Sequence, residues 1–264
     1  MSRLGERRRL GADAGLALQA VGGAHAVVSA PPHSRPKQVA RPIILPPMVG
    51  APPAEQAKRA QRSAAIFVID DSGSLYFGAG GDTTGIRYAA AQSLVGLMRR
   101  AGGGTAAVVH YGSEAPAEMV TPLLHVKRDG RRLKRALRVP VPNLGGTNVA
   151  SGLARCVPLV EGRATLYPVV YLIGDGLESI SDTAHAAVAS LPPKSVHLLL
   201  VDKLDACDAA LEAGWRSMPL GSVTRLDVFD TKTMAWQLAD IFAASIGLQM
   251  PGAARPKARG RSNE

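Results

Sequence analysis

From residue 64 onward the apolar positions follow two patterns that alternate along the chain. Ala64, Ala65, Ile66, Phe67, Val68 and Ile69 form an unbroken apolar run of strand length, the signature of a strand buried on both faces. Ile86, Ala90, Leu94, Leu97 and Met98 then recur at helical spacing and stop before Gly102, Gly103 and Gly104, which predicts an amphipathic helix with a glycine stop. A second strand is expected over 105–111. Residues 117–124 read as a hairpin-connected strand at a sheet edge, where Pro122 is tolerated. Leu133, Ala136 and Leu137 mark a short helix, and another opens near Thr147. A strand over 169–173, a helix over 183–190 and a strand over 196–201 follow. The pattern closes with a strand over 223–229 and a helix whose shared face is Met234, Leu238, Ile241, Phe242 and Ser245.

This alternation predicts an α/β fold: a doubly wound, mostly parallel six-stranded sheet with helices on both faces and one antiparallel edge strand. Composition agrees. The chain has 264 residues, 46% of them hydrophobic and 20% charged, enough for a sizeable core and unlike a fibre, coiled coil or disulfide scaffold. Cys156 and Cys207 show no metal or disulfide spacing and read as reduced core thiols. No apolar run reaches membrane-spanning length. Arg7, Arg8 and Arg9 before residues 14–30 resemble a signal peptide loosely, but Gln19, Gly22, Gly23 and His25 dilute the apolar stretch. Low aromatic content, Ala/Arg/Gly richness and the lack of a convincing signal lead to the expectation of a cytoplasmic, bacterial protein.

The net charge of +10 suggests a nucleic-acid binder until it is located. Residues 1–62 carry +7, residues 251–264 carry +3, and residues 63–250 sum to zero. Eight prolines between 31 and 53 disfavour regular structure there. The expected organisation is a disordered basic, Pro-rich segment over 1–62, one domain over 63–250, and a disordered basic tail over 251–264.

Three polar clusters fall where a doubly wound sheet binds ligands, at the carboxyl ends of strands. They are Asp70-Asp71-Ser72-Gly73-Ser74 after the first strand, Gly145-Gly146-Thr147-Asn148 before a helix, and Gly174-Asp175-Gly176 after the fourth strand. Each taken alone is an ordinary turn or cap. If the first and fourth strands are neighbours, Asp70 and Asp175 enter one crevice with Ser72, Ser74 and Thr147 in loop reach. Two carboxylates and three hydroxyls form an all-oxygen set suited to a hard divalent cation.

These motifs resemble the metal ion-dependent adhesion site of von Willebrand factor type A domains, over about residues 63–248. The resemblance implies that Asp70, Ser72, Ser74, Thr147 and Asp175 hold Mg²⁺, or Mn²⁺ or Ca²⁺. It also implies that an acidic side chain, Asp or Glu, of a partner protein completes the coordination. The function implied is non-enzymatic, metal-dependent protein binding, in bacteria commonly beside an ATPase or kinase system. Two departures stand out: a glycine-rich insertion from Phe77 to Asp82, and Gly174 where the family commonly has Thr or Ser.

A basic run also needs a reading: Lys127, Arg128, Arg131, Arg132, Lys134, Arg135 and Arg138 surround a single acid, Asp129. It is either a solvated helix face or a docking surface for an acidic partner or for phosphate. The alternative functions are a nucleic-acid-associated module acting through the tails and this basic helix, and a phosphoryl-transfer enzyme or receiver-like domain motivated by Asp70-Asp71. The latter lacks a phosphoacceptor Asp after the third strand, a Walker loop and a GxSxG elbow. His110, His125, His185 and His197 show no ligand spacing, and Asp71, Trp215 and Trp236 read as structural.

Overall fold

The structure is a computed structural model describing residues 39–77, 81–140, 144–163, 166–178, 180–201, 209–226 and 229–252, all within the unit Ser34–Glu264. Its strands are β1 (Ser63–Asp70), β2 (Thr105–Tyr111), β3 (Leu124–His125), β4 (Tyr167–Gly174), β5 (Val196–Leu200) and β6 (Ser222–Arg225). The described helices are α1 (Pro53–Gln61), α2 (Gly73–Phe77), α3 (Ile86–Arg100), α4 (Gly130–Ala136), α5 (Val149–Ala154), α6 (Val157–Val160), α7 (Asp182–Ala189), α8 (Ala209–Ser217) and α9 (Thr231–Ser245).

The six strands form one sheet in the order β3-β2-β1-β4-β5-β6. All pairs are parallel except β2 with β3, as the sequence pattern predicted. The unbroken apolar runs have a direct cause. Ala65, Phe67, Ile69, Val169, Tyr171 and Ile173 enter the core under α3 and α9, while Ile66, Val68, Val170 and Leu172 enter the opposite core with Val149, Val188 and Trp215. Both faces of β1 and β4 are therefore dry, and period-two alternation disappears. Phe67 stacks on Tyr171 at 5.4 Å between ring centroids, and the Tyr171 hydroxyl donates to the Leu238 carbonyl at 3.1 Å, fixing α9 to the sheet. Met234, Leu238, Ile241 and Phe242 are buried as expected. Cys156 is a free, buried thiol whose ionisation is pushed up by burial; Cys207 lies outside the described residues.

Three expectations need correction. The edge strand is not continuous over 117–124: Ala117–Met119 is a 3-10 turn, Val120 makes one isolated bridge to Val109, and pairing resumes only at Leu124–His125. The Thr121 side chain accepts from the Val108 amide at 2.9 Å just before Pro122, which has no N–H to continue a ladder. The last strand ends at Arg225 rather than running to Phe229, with 227–228 outside the described residues.

The third correction concerns the N-terminal boundary. Within the segment expected to be disordered, residues 39–62 are built onto the sheet. Leu45 and Met48 are buried in the core under α3 and α9. Val49 bridges Gln249, and the Ile43 amide donates to Ser93 Oγ at 2.9 Å. Arg100 donates to the Leu45 carbonyl at 2.8 Å. Proline suppresses helix only where it interrupts one; Pro53 begins α1, where its missing donor is harmless. Arg59 on α1 donates to the Ile246 and Gly247 carbonyls at 3.3 and 3.0 Å, closing the end of α9. The expected termini over 1–38 and 253–264 lie outside the described residues.

Leu45→Ala should therefore destabilise the protein by about 2–4 kcal/mol, a loss of roughly 4–16 °C in melting temperature, as for a core leucine. Scanning calorimetry checks this; a change below one degree would show that the 39–49 segment does not pack on the domain.

Candidate functional site

The strand order places β1 beside β4 at the centre of the sheet, where winding reverses direction and the carboxyl ends open a crevice. Ile69 pairs with Ile173 in the parallel register, so Asp70 lies at the end of β1 beside Gly174, with Asp175 one residue further. Asp70, Ser72 and Asp175 are buried, at 1%, 1% and 7% exposure, and Ser74 is exposed.

Their contacts form a continuous chain. The Ser72 amide donates to Asp70 Oδ1 at 2.8 Å, folding the loop back over the strand end. Ser72 Oγ lies 3.0 Å from Ser74 Oγ, and Ser74 Oγ donates to Asp175 Oδ2 at 2.5 Å. Asp175 Oδ1 accepts from the Leu177 amide at 3.1 Å. The Gly145 carbonyl accepts from the Gly73 amide at 2.9 Å, drawing the second loop alongside. Thr147 sits half-buried on that loop, two residues from this bond. The structure thus links four of the five expected side chains directly and brings Thr147 to the neighbouring loop without a hydrogen bond to the other four.

Thr147 is not the cap of the helix that follows. Asn148 takes that role, its side chain accepting from the Ser151 amide at 3.2 Å, which leaves the Thr147 hydroxyl uncommitted to capping. Gly145 adopts φ +78, and a Cβ there would meet Ser113 Oγ at 2.8 Å. Gly145 is therefore required by backbone conformation and by the close approach of Ser113. Gly174 also has a structural reason: a Cβ would stand 3.1 Å from Asp70 Oδ2 and 3.2 Å from the Tyr111 hydroxyl. The absence of Thr or Ser at this position lets the Asp70 carboxylate and Tyr111 crowd the strand end.

Electrostatically the crevice is under-compensated. Burial, and then the neighbouring Asp175 charge, push the Asp70 carboxyl up to about 7, although the Ser72 hydrogen bonds and Arg87 pull the other way. Glu178, unmarked in the sequence, points the same way: burial and then Asp175 raise its carboxyl, while the Val149 amide, donating to Oε2 at 2.7 Å, opposes the shift. Among the described residues no group of three or more His, Cys, Asp and Glu side chains is placed to hold a metal. The cluster consists of carboxylate and hydroxyl oxygens, a donor set for hard cations rather than for zinc or copper.

A second buried polar network supports the loop from behind. Asp71, fully buried, accepts from the Tyr88 hydroxyl and meets His110 Nδ1 at 2.7 Å. The buried Arg87 guanidinium lies 3.7 Å from Asp71 and 3.3 Å from Asp82. Asp82, from the glycine-rich insertion, accepts from the Ile86 and Arg87 amides at 2.8 and 2.9 Å and so caps α3; Gly78, Ala79 and Gly80 lie outside the described residues. His110 Nε2 meets the Ala136 carbonyl at 2.8 Å. Trp215 donates to the Gly176 carbonyl at 3.1 Å and holds the third loop. Asp71 and Trp215 thus position the site, as their structural reading expected. Tyr111, Glu178, Asp82 and Arg87 escaped sequence reasoning. The β1–β2 register opposes Asp70 to Tyr111, a signal legible only once the pairing is fixed.

Residues 65–178 match the family model of the von Willebrand factor type A domain, a stretch containing all five expected positions. None of the curated proteins matches the chain. Among solved structures, a von Willebrand factor type A protein from Catenulispora acidiphila is 20% identical with a TM-score of 0.51, covering 71% of this chain and 43% of its own. The minor pilin PilB from Streptococcus sanguinis is 11% identical with a TM-score of 0.53, covering 74% of this chain and 64% of its own. Proximal thread matrix protein 1 from the mussel byssus is 15% identical with a TM-score of 0.50, covering 70% and 48%. The chain spans less than two thirds of the length of each of these. Over residues 65–178 the chain is similar to the von Willebrand factor type A family, and these solved structures share its fold. Among the described residues no helix is long and apolar enough to cross a membrane.

The raised Asp70 carboxyl has a defined sign. Its folded value of about 7 lies above the ordinary 3.8, so its contribution to stability is full below about pH 4 and is lost as pH rises towards 7. In EDTA at pH 8, Asp70→Asn should raise stability by roughly 1–3 kcal/mol, or about 2–12 °C, and the gain should shrink towards pH 4. Thermal melts across that range check this; a destabilised variant at pH 8 would contradict it.

Proposed function

We propose that this chain is a divalent-metal-dependent protein-interaction module whose site is Asp70, Ser72, Ser74, Thr147 and Asp175. The observation that carries the reading is the continuous contact chain from Asp70 through Ser72 and Ser74 to Asp175, closed around two buried carboxyls at the sheet's switch point. Bringing two carboxylates together in a dry crevice is unfavourable without a positive charge. Hydroxyls on the same loop supply neutral oxygens that a hard cation accepts.

In this reading Mg²⁺ or Mn²⁺ is the resident ion, with Ca²⁺ as an alternative. When bound, the ion supplies a localised positive charge that attracts a carboxylate. The chain's own residues do the rest. The Ser72 amide holds one Asp70 oxygen, the Leu177 amide holds one Asp175 oxygen, and exposed Ser74 marks the side open to solvent. A partner presenting Asp or Glu on that side is the ligand such a site selects over a neutral surface. No observation favours the phosphoryl-transfer reading: β3 ends at His125, followed by Val126, Lys127 and Arg128, and the first acid beyond it, Asp129, is held by the His125 amide at 2.9 Å.

Titration calorimetry with Mg²⁺ and Mn²⁺ tests the assignment. Asp70→Ala and Asp175→Ala should each weaken binding at least about tenfold, the loss expected for one charged ligand of a hard cation. Equal affinity in wild type and both variants would refute it.

A further inference from the structure

The basic run is more than a charged helix face. Lys127 and Arg128, in the turn after β3, and Arg131, Arg132 and Lys134 on α4 converge with Arg99 of α3 around a groove of about 700 Å³. Leu133 anchors α4 in the core, and Gln92 of α3 donates to the Leu137 carbonyl at 2.6 Å, tying the two walls together. Pro42 and Val95 supply the apolar surface between the cations, over the buried Val126 and Leu137. The groove is thus built by three segments distant in sequence, and its walls are fixed by core packing.

Its charge is largely uncompensated. Asp129 is the acid in the lining, and its carboxylate is engaged by the His125 amide at 2.9 Å and by Arg128 at 3.4 Å. The same contacts, the His125 amide first, hold it below the usual carboxylate range. Among the described residues Arg99, Lys127, Arg131, Arg132 and Lys134 form no ion pair. A concave surface lined by one sign of charge focuses its field and concentrates an oppositely charged ligand.

The geometry points to a second docking surface here, for an acidic protein segment that places an aliphatic side chain between its carboxylates. The apolar lining decides between polyanions. A nucleic-acid strand offers phosphates for the cations but seeks aromatic faces for its bases, and no aromatic residue lines this groove. An acidic peptide with leucine or isoleucine between its carboxylates uses both the cationic rim and the Pro42–Val95 apolar surface. The volume admits a few side chains, not a folded domain. The inference is independent of the metal site: it requires neither Asp70 nor a cation.

The test uses the full chain at physiological salt and a short fluorescent peptide alternating Glu and Leu, followed by anisotropy. Binding should weaken at least tenfold in the double variant Arg131→Glu/Lys134→Glu, whose fold is checked by circular dichroism. A Glu/Ser peptide of equal charge should also bind at least tenfold more weakly to the wild type. EDTA and Asp70→Ala should change neither result. The inference is overturned if the double variant binds the Glu/Leu peptide as well as wild type does, so that the tails account for binding. It is also overturned if both peptides bind alike, if an oligouridylate of equal charge displaces the Glu/Leu peptide, or if chelation abolishes its binding.

Discussion

Two carboxylates that repel each other, Asp70 and Asp175, are held at the ends of adjacent strands. Everything around the crevice serves to keep them there. The sheet supplies the coarse position by pairing β1 with β4 in a register that ends at Asp70 and Gly174. Two dry cores clamp both strands from above and below, so neither strand end can retreat into water without exposing apolar surface worth about 25 cal/mol per Å². Fine positioning comes from backbone amides: those of Ser72 and Leu177 each fix one carboxylate oxygen. The cost appears in the Asp70 carboxyl, pushed up to about 7 by burial and by its neighbour.

Behind the loop, a buried network resists the same strain. Asp71 is one residue from Asp70 but faces the other way, into Tyr88, His110 and Arg87. The consecutive acids thus have opposite roles, one turned towards the crevice and one locked in the core. Arg87 also meets Asp82, so the start of α3 and the end of β1 are bound through one guanidinium. A buried charge is tolerated when an opposite charge lies beside it, and here the ion pairs of Arg87 connect the loop to the helix that covers it. His110 extends the network to the Ala136 carbonyl at the end of α4. One wall of the basic groove is therefore physically continuous with the support of the site.

The central sheet was legible because its strands are buried on both faces, which leaves unbroken apolar runs at 64–69 and 169–173 that no helix of that length would need. The candidate site was legible because its residues cluster in three short motifs at strand ends. What sequence did not reveal depends on tertiary context. The edge at 117–124 became a turn and one bridge because the Thr121 hydroxyl takes the Val108 amide in place of a backbone carbonyl and Pro122 has no N–H to donate. The segment 39–62 looked like a linker because its prolines are dense, yet Leu45 and Met48 fill the core and Pro53 starts a helix. The reason for Gly174 emerged only with the Asp70 and Tyr111 side chains in place. Glu178 carries no motif, and only the fold turns its carboxylate onto the Val149 amide.

The central claim is that the paired carboxyls and the Ser72–Ser74 hydroxyls form a cation site. Its most direct test is a crystal of the full chain grown with Mn²⁺ and measured at the manganese absorption edge. The account predicts an anomalous peak within bonding distance of Asp70, Ser72, Ser74 and Thr147 or Asp175. An intact crevice with no peak there, or a peak held elsewhere on the domain, would contradict it.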